Sequence, residues 1–135
     1  MNQVPRPSSA FIGVSWTALL IGTVVYLMGL WNSTMALNEK GYYFVLLMYG
    51  MFATVSLQKS VRDRLEGLRV SDQYYAIAWA SVGICVVLLA FSLFRATLEM
   101  SEKGFFAMAY LMCLFGVTAV QKNTRDMVLA SGNDD

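Results

Sequence analysis

The chain has 135 residues, of which 57% are hydrophobic and only 14% charged, with ten Lys and Arg against nine Asp and Glu for a net charge of +1. That balance excludes an ordinary soluble domain, in which about a quarter of residues are charged, and leaves no basic or acidic surface for nucleic acid or an oppositely charged partner. There is no His, which removes the commonest general base and the commonest metal ligand.

Taken in chain order, residues 1–10 read as a short polar tail. Beyond it, four stretches lack Asp, Glu, Lys and Arg: Phe11 to Asn38, Gly41 to Gln58, Gln73 to Phe94, and Gly104 to Gln121. Each is about long enough to cross a hydrocarbon core of roughly 30 Å as a helix rising about 1.5 Å per residue. The fold class expected is therefore an all-α membrane protein with four transmembrane helices. The second and fourth runs are the shortest, so their charged flanks must lie close to the interfaces. The first run reads as an uncleaved helix and not as a signal peptide, because only Arg6 precedes it and the small residues Ser8, Ser9 and Ala10 stand before the run instead of after it.

The charged segments repeat. "NEKGYYF" at 38–44 returns as "SEKGFFA" at 101–107, and "QKSVRD" at 58–63 returns as "QKNTRD" at 121–126. Glu39 and Glu102, Lys40 and Lys103, Gln58 and Gln121, Lys59 and Lys122, Arg62 and Arg125, Asp63 and Asp126, and also Trp16 and Trp79, all stand 63 positions apart. The unit is thus a two-helix hairpin present twice, over residues 11–63 and 74–126, with a linker at 64–73 and a tail at 127–135. Each unit crosses the membrane twice, so the copies share an orientation and any symmetry axis runs along the membrane normal. Counting cations by side gives seven (Arg6, Lys59, Arg62, Arg64, Arg69, Lys122, Arg125) against three (Lys40, Arg95, Lys103). The positive-inside rule places both termini and the linker in the cytoplasm.

The twelve repeated charged and amide residues have two readings. In the plainer one, Asn38 and Ser101 are N-caps, Glu39 and Glu102 complement the dipole in the first turn, Lys40 and Lys103 snorkel to headgroups, and Lys59, Arg62, Lys122 and Arg125 favour the helix C-termini. Lys59 also stands four residues before Asp63 for a surface pair. In the sharper one, the copies meet about a twofold axis, Glu39 approaching Lys103 and Glu102 approaching Lys40, and the repeated groups form an interaction surface. The small residues of "ALLIG" (Ala18, Gly22) and "AIAWA" (Ala76, Ala80) permit close helix approach. Trp16, Trp31, Tyr42, Tyr43, Tyr74, Tyr75, Phe105 and Phe106 fall near helix ends, as an aromatic belt requires. Cys85 and Cys113 lie mid-span, outside any Cys-x-x-Cys, and read as inert core thiols. With no glycine-rich phosphate loop, no Gly-x-Ser-x-Gly and no Asp, Glu, Lys or Arg in mid-span, neither an enzyme, a cofactor nor a proton-coupled carrier is expected.

The motifs "LWNSTMALNEKGYYF" with "QKSVRDRLEG", and "LFRATLEMSEKGFFA" with "QKNTRD", resemble the YiaA/YiaB inner-membrane proteins of bacteria, whose repeat is a two-helix domain. The resemblance spans about residues 11–126 and implies a bacterial inner-membrane location with two copies of the domain. One departure is visible: the first copy reads Leu30-Trp31-Asn32 where the second reads Leu93-Phe94-Arg95. The function expected is that of a structural or interaction protein, with the bilayer and either further copies or another membrane protein as partners. The alternative is a small oligomeric transporter or channel.

Overall fold

The structure is a computed structural model and describes residues 6–133. It consists of four helices: α1 (Ser9–Trp31), α2 (Leu37–Leu65), α3 (Asp72–Arg95) and α4 (Met100–Asn133). All four are long and apolar enough to cross a membrane. The first five and last two residues of the predicted tails lie outside the described residues, and α4 continues helical from 127 to 133.

The helix starts follow the duplication. Ser8 and Ser71, 63 positions apart, cap α1 and α3, each hydroxyl accepting from a backbone N–H three residues on (Phe11 and Tyr74, both 3.1 Å). The other two starts correct the expectation for Asn38 and Ser101. Both residues already lie within the first turn, because the helices begin after Ala36 and Glu99, whose carbonyls accept from Lys40 and Lys103 N–H at 3.0 Å. No side chain caps α2. Glu39 and Glu102 do stand in the first turns of α2 and α4, where negative charge complements the helix dipole. At its far end α2 closes in a Schellman turn: Gly67 has φ 79°, and Leu68 N–H reaches back to Asp63 O at 2.8 Å.

Burial explains how the helices are arranged. On α1 one stripe is buried, Ser15, Ala18, Gly22, Tyr26 and Leu30, at helical spacing. On α3 the stripe is Ala78, Cys85, Leu89 and Leu93, the same positions displaced by 63. α2 and α4 are buried more broadly: Tyr43, Leu46, Leu47, Gly50 and Ala53 on α2 recur as Phe106, Ala109, Tyr110, Cys113 and Gly116 on α4. The outer helices therefore have one neighbour each and the inner helices have two. α1 lies along α4, α3 lies along α2, and α2 faces α4, whereas the two helices of each hairpin scarcely touch. The repeats interlock, each lending its first helix to the other's second.

Small residues set the closeness of the α1/α4 contact. A Cβ on Gly116 would stand 2.6 Å from Leu19 N, and one on Gly22 would stand 3.0 Å from Cys113 N. Ala18 and Gly22 of the first small-residue pair are both buried, but in the second pair Ala76 and Ala80 are exposed and Ala78 takes the buried position. The stripe on α3 is phased by its contact with α2, not by the alanine spacing. A second correction concerns the aromatic belt: Tyr43 and Phe106 are core residues, stacked at 6.3 Å between centroids. The two buried phenols that no belt would hold, Tyr26 and Tyr110, donate to the carbonyls of Tyr43 (3.0 Å) and Leu46 (2.9 Å), so neither hydroxyl is stranded in the apolar interior. Cys85 and Cys113 are free and fully buried.

Candidate functional site

The repeated charges form two different structures at the two ends of the bundle. At the end that carries the start of α1, the end of α4 and the α2–α3 connection, the two copies of Gln-Lys-x-x-Arg-Asp lie against each other. Arg62 on α2 donates to Asp126 on α4, and Arg125 on α4 lies 2.5 Å from Asp63 on α2. Contacts that exchange partners in this way are what a twofold axis between α2 and α4 produces. Lys59 and Lys122 add the i,i+4 pairs to Asp63 (2.8 Å) and Asp126 (2.9 Å). The carboxylates are nearly enclosed, with side-chain exposure of 10% for Asp63 and 6% for Asp126. Each is held by two cations, which a carboxylate in so dry a setting requires.

Glu66 completes this clasp, and the sequence reading passed over it. It accepts from Arg62 at 2.7 Å and from Arg125 at 3.1 Å, so one carboxylate bridges both repeats. The signal was present: Glu66 stands four residues after Arg62 on the same helix. It has no counterpart, since Leu129 occupies the equivalent position. Deeper in the bundle, Asn123 Nδ2 donates to Ser15 Oγ at 3.1 Å, and Ser15 in turn donates to Phe11 O at 2.7 Å, joining α4 to α1. Gln58 and Gln121 are half-buried and enter none of the ion pairs.

At the opposite end, which carries the two Glu-Lys-Gly segments, the expected cross-pairing does not occur. Among the described residues no ion pair joins Glu39 to Lys103 or Glu102 to Lys40. Instead Lys40 Nζ donates to Trp31 O at 3.0 Å and Lys103 Nζ donates to Phe94 O at 3.3 Å, again 63 positions apart. Each lysine reaches back over its short connection to an orphan carbonyl at the end of the preceding helix. The lysines are thus engaged by their own hairpins before they can span the bundle.

Their engagement leaves the glutamates facing two clefts of about 420 and 450 Å³. The first lies between α1 and the start of α4, and Gly29, Asn32, Thr34, Glu102 and Phe105 are among its lining residues. The second lies between α3 and the start of α2, lined at the equivalent positions by Ser92, Arg95, Thr97, Glu39 and Tyr42. The clefts have diverged in detail. Phe105 packs onto Gly29, where a Cβ would stand 2.4 Å from the ring, while Tyr42 shares a 2.8 Å hydrogen bond with Ser92. One cleft holds a carboxylate alone; the other holds a carboxylate and a guanidinium.

Comparison with known proteins agrees with the duplicated architecture. The YiaA/B two helix domain matches residues 11–63 and 74–126. The chain is 50% identical over 125 residues to the inner membrane protein YiaA of Escherichia coli K12, covering 93% of this chain and 86% of that protein. It is 30% identical over 98 residues to the inner membrane protein YiaB of the same organism, covering 72% of this chain and 82% of that one. No solved structure matches it significantly. Two tandem matches, laid over four membrane-spanning helices whose contacts repeat at the same offset, establish that the chain belongs to the YiaA/B two-helix domain family.

Proposed function

We propose that this membrane protein acts as a non-catalytic structural or interaction component of a bacterial inner-membrane assembly, either with further copies of itself or with another membrane protein. The observation that supports this reading is the filled interior. Tyr26, Leu47, Cys85, Tyr110 and Cys113 are fully buried at the centre, and the ionisable clusters lie at the two ends. A transport path normally needs polar or ionisable groups at mid-depth, facing a cavity. This chain offers surfaces instead: apolar faces to lipid or a partner helix, and the paired clefts at one end.

The proposal includes orientation. The end that carries the clasp has seven of the ten Lys and Arg, so it faces the cytoplasm and the clefts face outward. Single cysteines at Ser33, Ser71 and Ala96, probed in intact cells with an impermeant maleimide, should label at Ser33 and Ala96 but not at Ser71; the reverse pattern would invert the topology. For the functional reading itself, the experiment is purification in mild detergent from cells expressing the chain at native level. A complex of fixed stoichiometry is expected. A monodisperse monomer, or solute flux through liposomes carrying the purified chain, would contradict it.

A further inference from the structure

The cleft between α3 and the start of α2 does not end at its polar residues. Asn38 and Tyr42 also line an apolar groove of about 370 Å³ that runs along α2 past Val45, Leu46 and Tyr49, with Leu88 of α3 on its other wall. The polar cleft and the apolar groove are thus neighbours that share Asn38 and Tyr42 as a wall. Glu39 and Arg95 line the same cleft, and among the ion pairs of the described residues none joins them. The guanidinium carbon of Arg95 lies 5.8 Å from the centroid of the Phe91 ring.

From this combination we infer that the α2/α3 cleft binds one aminophospholipid, with the phosphate at Arg95, the primary ammonium at Glu39 and an acyl chain in the groove beneath Tyr42. Charge complementarity selects this occupant. An anionic phosphoglycerol lipid would satisfy Arg95 but bring its net negative charge against the like charge of Glu39. A cationic amphiphile would do the converse. A headgroup with both charges a few ångströms apart neutralises both walls, and guanidinium–phosphate contact is among the stronger hydrogen-bonded pairings. The duplicated fold supplies a control, because the α1/α4 cleft has Glu102 but carries Asn32 at the position of Arg95. It lacks the cation that the phosphate requires.

The binding inference stands apart from the assembly reading, because it is read on the isolated chain. The full-length protein, delipidated in detergent, is offered equimolar dioleoyl phosphatidylethanolamine and phosphatidylglycerol, and bound lipid is counted by native mass spectrometry. One phosphatidylethanolamine per chain is expected, preferred by roughly tenfold, the scale of one charge-assisted contact. Arg95→Asn and Glu39→Gln should each abolish the preference, Glu102→Gln should leave it intact, and Val45→Trp, which fills the groove, should reduce retention of either lipid. All four side chains are at the surface, and circular dichroism confirms that each variant folds. Glycerophosphoethanolamine, the same headgroup without acyl chains, should compete poorly. Equal retention of the two lipids, an unchanged preference in both Arg95→Asn and Glu39→Gln, or displacement by the soluble headgroup as readily as by the lipid would overturn the inference.

Discussion

Arg125 of α4 and Asp63 of α2 meet at 2.5 Å between the two inner helices at one end of the bundle, and Arg62 and Asp126 make the same contact with the helices exchanged. Because each carboxylate is almost enclosed and is shared with a lysine of its own helix, removing one should cost more than an exposed pair, worth about 0–1 kcal/mol, and less than a fully buried one, worth about 3–5 kcal/mol. Asp126→Asn is expected to destabilise by about 2–3 kcal/mol in denaturant unfolding in micelles. Combining it with Arg62→Gln should cost clearly less than the two singles together, since the second change removes a partner already lost. Strict additivity would mean that the pair contributes nothing as a pair.

At the other end, Lys103 serves the carbonyl of Phe94 and not Glu39. Reversal of Lys103 to Glu should therefore lose a helix-end contact worth about 0.3–1 kcal/mol. Adding Glu39→Lys should not restore it. The two effects should sum to within about 0.5 kcal/mol in thermal unfolding, as for independent sites. Rescue in the double variant would show that the two Glu-Lys-Gly segments do pair across the bundle.

Glycines separate by what surrounds them. Gly116→Ala places a methyl group 2.6 Å from the backbone of Leu19, so α1 must move off α4 and stability should fall by about 1–3 kcal/mol. Gly13→Ala and Gly83→Ala, with nothing within 4 Å, should be neutral or slightly stabilising, since alanine is the better helix former by about 1 kcal/mol. Similar losses at Gly13 and Gly116 in detergent melting curves would refute the close α1/α4 approach.

Gly67 is governed by the backbone and not by space. Its φ of 79° terminates α2, and Gly67→Ala should cost about 1–2 kcal/mol although no neighbour would be touched. The loss should appear as faster exchange of amide hydrogens in the last turn of α2, next to the clasp. Unaltered exchange there would detach the turn from the ion pairs.

The number of helices, their order and the 63-residue period were legible in the sequence, because charge-free length and exact repetition are local properties. The pairing of helices was not. In lipid, a stripe of Ser15, Ala18, Gly22 and Tyr26 suits α2 or α4 as a neighbour equally well, and only the full set of contacts decides for α4. Which of the repeated charges would meet across the axis was not legible for a related reason. Glu39-Lys40 and Arg62-Asp63 are both adjacent opposite charges repeated at the same offset, and either pair is able to cross a twofold axis. What separates them is the neighbourhood: Lys40 follows a short connection with an orphan carbonyl within reach, whereas Arg62 lies in the last turn of α2, where the Schellman turn already pairs the end carbonyls. Glu66, Ser15 and Asn123 escaped because the repeat does not duplicate their partnerships: Leu129, Ala78 and Ser60 stand at the corresponding positions.

The interlocking of the two repeats is the central claim, and a disulfide between α1 and α4 tests it most directly. Thr23 Oγ1 lies 3.5 Å from Cys113 Sγ, so Thr23→Cys in a Cys85→Ala background places two thiols in contact across the repeats, within reach of a disulfide after a small adjustment. A protease site engineered between Arg69 and Val70, in the exposed connection, then allows the repeats to be cut apart after mild oxidation. The account predicts that the halves of one chain stay joined on a non-reducing gel at the mass of a single chain and separate on reduction. Halves that separate without reductant, while a control cysteine pair between α1 and α2 holds α1 to its own hairpin, would contradict it.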